Sequence, residues 1–132
     1  MQILDCSFES TNQFSSLITD YLKQDPKIRR FSKYPPSLDA VPRIIEEKSM
    51  QRLPRQLLVD RLQAQYAGIK ASDATKGNIA ALASEQTFSV TTAHQLNIFT
   101  GPMYVIIKIM SAINLAEQLR QRYPEFKFVP VY

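Results

Sequence analysis

The sequence predicts an α/β fold: a mainly helical region over 1–86, then a β-α-β unit over 87–132, read together as one domain and as a fragment of a larger core. Three observations predict it. Phe88, Val90 and Thr92 alternate with Ser89 and Thr91, the period of a strand. A long apolar segment follows, opened by Gly101-Pro102 and stopped by Pro124. Phe126 to Tyr132 then reads as a second strand. A strand, helix and strand of this size imply two parallel strands joined by a right-handed crossover. The loop after the first strand then lies at its carboxyl end, beside a helix N-terminus, where open α/β sheets bind ligands.

In chain order, Met1 to Phe8 is short and mixed, an edge-strand candidate. Phe14, Leu17, Ile18, Tyr21 and Leu22 form one apolar helical stripe, with Thr11 or Asn12 as N-cap and Asp25-Pro26 as terminator. Lys27 to Pro36 reads as an extended connection whose Phe31 and Tyr34 pack onto the domain. A second helix, Asp39 to Met50, uses Val41, Ile44, Ile45 and Lys48, and Pro42 must fall in its first turn. A third runs from Pro54 to Ala67 on Leu58, Leu62 and Tyr66, with Gly68 beyond it. A fourth, Asn78 to Ser84, turns Ile79 and Leu82 inward. The last helix starts with Gly101 as N-cap and Pro102 at its first position and ends near Arg122. Its residues are apolar over most of the circumference, which predicts burial between layers. Two parallel strands are too few for a stable sheet, so further strands are expected from the remainder of a larger protein or from a partner chain.

Composition narrows the classes. The net charge of +4 is spread along the chain, with small basic clusters at 27–30 and 52–55. Scattered charge is the ordinary surface of a soluble domain, and no aromatic residues interleave with it, so nucleic acid is a disfavoured partner. No apolar run is long and charge-free enough to span a membrane, and the N-terminus lacks the pattern of a signal peptide. One cysteine and one histidine allow neither an internal disulfide nor a Cys/His zinc site built from this chain alone. A cytoplasmic location and no metal are the corresponding expectations.

Thr92, His94, Gln95, Asn97 and Thr100 make 92–101 the densest set of hydrogen-bonding side chains in the sequence. Tyr104, Lys108 and Ser111 share one face of the following helix, and the first two lie near that loop. Lys108 has two readings: it meets an anionic ligand such as a carboxylate or phosphate, or it reaches solvent or an internal carboxylate. His94 is either a structural hydrogen-bonder or a functional group at a ligand-binding junction. Asn97 serves a turn as readily as a ligand. No glycine-rich phosphate loop is present, and no Ser/His/Asp set or carboxylate pair stands out.

The segment VTTAHQLNIFTGPMYVIIKIMSAINLAEQL, followed by FVPVY, resembles the N-terminal signature of the bacillithiol biosynthesis cysteine-adding enzyme family. The matching residues are Thr92, His94, Gln95, Phe99, Gly101, Pro102, Tyr104 and Lys108, dense over some 40 residues. Ala93 replaces a usual glycine, and Ile107 a common aromatic. The resemblance implies a Rossmann-like core in a protein several times longer, dimeric through a C-terminal coiled coil. It implies a ligase joining cysteine to glucosaminyl-malate. The similarity of that core to nucleotidyltransferases, whose His-x-x-His element only His94 could match, leaves ATP or another nucleotide as the cofactor to consider. In that setting His94 and Lys108 are the catalytic candidates; Thr92, Gln95, Asn97, Thr100, Gly101 and Tyr104 are the substrate- or anion-binding ones. The rival reading is a non-catalytic module that binds a small ligand or anion through 92–102.

Overall fold

A computed structural model describes residues 4–95 and 101–132. They fall into two compact units, 1–50 and 51–132.

In the first unit, α1 (Ser16–Lys23) is followed by a short α2 (Pro26–Arg29), a single 3-10 turn (Leu38–Ala40) and α3 (Val41–Ser49). Residues 4–7 are not a strand, and 8–12 form a turn held by side-chain hydroxyls: Ser10 donates to the Ser7 carbonyl and Thr11 to the Phe8 carbonyl. The helix predicted at 14–22 is present as α1, with Ser15 rather than Thr11 or Asn12 at its N-cap. It ends at Lys23, two residues before Asp25, and Gln24 between them takes a left-handed φ of 61°. The connection expected to be extended from Lys27 is helical at its start. The Asp25 carboxylate accepts the Lys27 N–H at 2.9 Å and Pro26 opens the turn, so this Asp-Pro pair starts a helix as well as stopping one. Phe31 is exposed, contrary to expectation; the Arg30 guanidinium lies 4.6 Å from its ring centroid. Tyr34 is half-buried and donates to the Glu47 carboxylate, which also pairs with Lys33. Pro42 lies in the first turn of α3, and Ile45 is its buried residue.

The second unit contains α4 (Arg55–Tyr66), α5 (Asp73–Ala81), β1 (Thr87–Thr91), α6 (Met103–Arg122) and β2 (Lys127–Val131). In α4 the buried residue is Val59, not the predicted leucines; Leu58 is about half exposed. Arg55, one turn before Val59, donates to the carbonyls of Leu82 and Thr87, tying the helix to the end of α5 and the start of β1. α5 starts five residues earlier than expected because the Ser72 hydroxyl caps it, accepting the Thr75 N–H.

β1 and β2 pair in parallel, Thr87 with Lys127 through Thr91 with Val131. The ladder continues past the strand: the Thr92 N–H donates to the Val131 carbonyl at 2.9 Å. Phe128 and Val129 point to opposite faces of β2, and both are buried. α6 packs on both strands through Val105, Ala112, Ala116 and Leu119. The expectation that α6 is buried all round does not hold in this chain, because Ile106, Ile107 and Met110 are about half exposed. A lone two-stranded sheet covers only one stripe of a helix.

Candidate functional site at the carboxyl end of strand β1

After Thr91 the chain leaves β1 as Thr92-Ala93-His94-Gln95, and after Gly101 it re-enters regular structure as α6. Gly101 has φ 64°, the left-handed region open to glycine. The helix starts one residue later than expected. Pro102, with extended backbone at ψ 154°, occupies the cap position and Met103 is the first helical residue. The proline ring fixes φ alone, so Pro102 serves an extended cap as well as a first turn. Asn97 and Thr100 lie outside the described residues.

Three of the predicted side chains come together. The Tyr104 hydroxyl lies 2.6 Å from His94 Nε2. The two rings meet edge to face with centroids 4.9 Å apart. His94 Nδ1 lies 2.9 Å from the Gln95 carbonyl oxygen. Lys108, one turn along α6, donates from Nζ to the Ala93 carbonyl at 3.3 Å, with Nζ 5.8 Å from the centre of the Tyr104 ring. The Lys108 side chain is exposed, and its one-turn offset from Tyr104 brings it back over the loop. The Gln95 side chain is also exposed.

Thr92 is placed apart from this cluster. It lines an open cavity of about 610 Å³ between α5, α6 and β2, with Asn78, Ile109, Ala112, Val131 and Tyr132. Asn78 and Tyr132 are residues the sequence reading did not place there; α5 brings the first, and the pairing of β2 beside β1 brings the second. The Ala93 carbonyl, an acceptor for Lys108, was missed for a like reason, since backbone groups carry no sequence signal.

Chemically, the cluster offers a cation, an imidazole and a phenol beside the start of a 20-residue helix whose first turn holds no acidic residue. That set suits an anionic or polar ligand. Among the described residues no three of His, Cys, Asp and Glu lie close enough to hold a metal ion, and no helix is long and apolar enough to cross a membrane.

The model of the bacillithiol biosynthesis BshC family, N-terminal Rossmann-like domain, matches residues 1–132. The chain belongs to this family. Within it, the chain is 44% identical to the protein named "Putative cysteine ligase BshC" of Flavobacterium psychrophilum, over 97% of this chain and 25% of that protein. The homologue of the same name from Flavobacterium johnsoniae is also 44% identical, again over 97% and 25%. That of Cytophaga hutchinsonii is 40% identical over 94% of this chain and 24% of its own length. The chain thus spans about a quarter of the length of the curated relatives it matches. As a BshC-family domain it has the Rossmann-like α/β architecture read from the sequence.

Proposed function

We propose that this chain supplies the ligand-binding floor of a cysteine ligase that joins cysteine to glucosaminyl-malate in bacillithiol biosynthesis. Its membership of the BshC family supports the reaction class. The single observation that carries the site is the convergence of His94, Tyr104 and Lys108 at the carboxyl end of β1, beside the N-terminus of α6. In this reading His94 and Lys108 are the groups that serve the chemistry, while Thr92, Gln95, Asn97, Thr100, Gly101 and Tyr104 contribute to substrate or anion binding. Amide formation needs an activated carboxyl group, which a nucleotide such as ATP would supply. Lys108 and the first-turn N–H groups of α6 are the parts of this chain suited to an anionic group.

The same proposal gives the chain its setting. Residues 1–132 act as one N-terminal domain of a cytoplasmic, homodimeric enzyme. The remainder of the enzyme or a partner chain extends the two-stranded sheet and covers Ile106, Ile107 and Met110. The partial exposure of that apolar face supports this.

The test is turnover by the full-length enzyme. His94→Ala and Lys108→Met should each lower product formation by roughly a hundredfold, the scale of losing a positioned acid, base or charge-stabilising group, with the far-ultraviolet dichroism unchanged. Wild-type rates in both variants would remove these residues from the site. A chain that binds substrate-like anions but supports no turnover in any reconstituted enzyme would favour the binding-module reading.

A further inference from the structure

Resting on the proposed site, the hydrogen-bond geometry narrows two of its roles: His94 serves the chemistry indirectly, by positioning Tyr104. We infer that Tyr104, not His94, meets the ligand there, and that its oxygen takes up a hydrogen-bond donor, an N–H or O–H of a substrate.

The direction of each bond follows from what each atom can do. The Gln95 carbonyl oxygen can only accept, so the ring nitrogen 2.9 Å from it, Nδ1, carries the hydrogen. With the hydrogen on Nδ1, that tautomer leaves Nε2 bare to accept, so the bond at 2.6 Å is donated by the Tyr104 hydroxyl. Both ring nitrogens are thereby engaged within the protein, and His94 reaches a ligand only through Tyr104. The phenol hydrogen is committed to His94, which leaves the oxygen's lone pairs for an incoming N–H or O–H. A carboxylate or phosphate oxygen has no hydrogen to offer and would meet those lone pairs unfavourably. The ring is also held from more than one side. His94 abuts it edge to face, and the Lys108 ammonium, itself anchored on the Ala93 carbonyl, stands near it. Tyr104 is nevertheless 46% exposed, so its oxygen is within reach of a ligand. The site thus divides its work: Lys108 for an anionic group, Tyr104 for a donor. A reaction that couples a carboxyl to an amine brings both kinds of group together.

His94 is in this arrangement a positioning residue, and the experiment is built to separate that role from a direct one. In the full-length enzyme, Tyr104→Phe should raise KM roughly twofold to tenfold, the range of one hydrogen bond, for the substrate whose N–H or O–H it accepts. His94→Ala should shift the same constant by a similar factor, and the double variant should be no worse than either single one, because the two act as a unit. His94→Gln, which can place an amide oxygen near the Nε2 position, should recover most of the loss. Additive losses in the double variant, or failure of the glutamine variant to recover while Tyr104→Phe keeps a normal KM, would show that His94 acts directly and overturn the inference while the site stands. Wild-type kinetics in every variant, Lys108→Met included, would overturn the site itself. A spectroscopic measurement adds a further check. In the full-length enzyme, a long-range proton–nitrogen correlation spectrum, with the His94 signal identified as the one lost in His94→Gln, reports its tautomer. A hydrogen on Nδ1 and a bare Nε2 are expected; a dominant Nε2–H form would reverse the Tyr104 bond and overturn the proposal.

Discussion

Gly101 carries a φ of 64° at the entry to α6, and an alanine there would press its Cβ toward the carbonyl that follows. Gly101→Ala should therefore lower stability by about 1–2 kcal/mol, read as a reduced denaturant midpoint at constant slope. An unchanged midpoint would mean that the turn relaxes into another conformation at no cost. Ala93 presents the opposite case. It is not among the non-glycine residues of positive φ, which among the described residues are Asn12 and Gln24. The backbone at 93 is one that alanine adopts without strain, and the contact made there is with the carbonyl, which any residue would provide.

At the scale of the element, α6 organises the second unit. Its buried side is built from small residues, Ala112 and Ala116, which let the helix approach the sheet closely, and from Val105 and Leu119 near its two ends. Leu119 is 5% exposed, so Leu119→Ala removes packed methyl groups and leaves a void. A loss of about 2–5 kcal/mol is expected, measured by chemical denaturation. A loss below about 1 kcal/mol would show that the helix end settles onto the sheet and fills the space. The same helix sets the geometry of the site. Tyr104 and Lys108 are one turn apart, so whatever fixes the helix on the sheet also fixes a phenol and an ammonium over the 92–95 turn.

For the whole molecule, the net charge of +4 is punctuated by a few local ion pairs, and these add a pH-dependent contribution to stability. The hydrogen bond from Lys33, with that from Tyr34, holds the Glu47 carboxyl below its ordinary value, and the same bond to Glu47 raises the Lys33 ammonium. The carboxylate's contribution is present above the ordinary carboxylate range and fades as pH falls through the lowered folded value. The ammonium's is present below the ordinary lysine range and is lost as pH rises through the raised one. Lys23, raised by its bond to Glu9, follows the same alkaline course. These groups lie in water, so the effects are small and salt-sensitive. Glu47→Gln should make the acid limb of the melting-temperature profile slightly shallower at low ionic strength and barely alter it in high salt. A wild-type acid limb in that variant would assign the limb to other carboxylates.

Much of this architecture was legible because its causes are local. The alternation at 88–92, the proline stop at 124 and the apolar run between them are properties of neighbouring residues, and they yielded β1, α6 and β2 to within a residue or so. The grouping of Tyr104 with Lys108 followed from helical spacing alone. Less visible were the short helix at Pro26 and the early start of α5, where a single Asp or Ser side chain capturing a backbone N–H outweighed weak periodicity. The sequence by itself therefore determined the order of elements and the helix face on which the site is built. Only the tertiary structure decided that Val59 rather than the leucines of α4 is buried, that Thr92 opens onto the cavity beside Val131, and that His94 turns its two nitrogens to Gln95 and Tyr104. The reason is physical: period and capping act over a few bonds, whereas burial and hydrogen-bond direction depend on which distant segments share a surface.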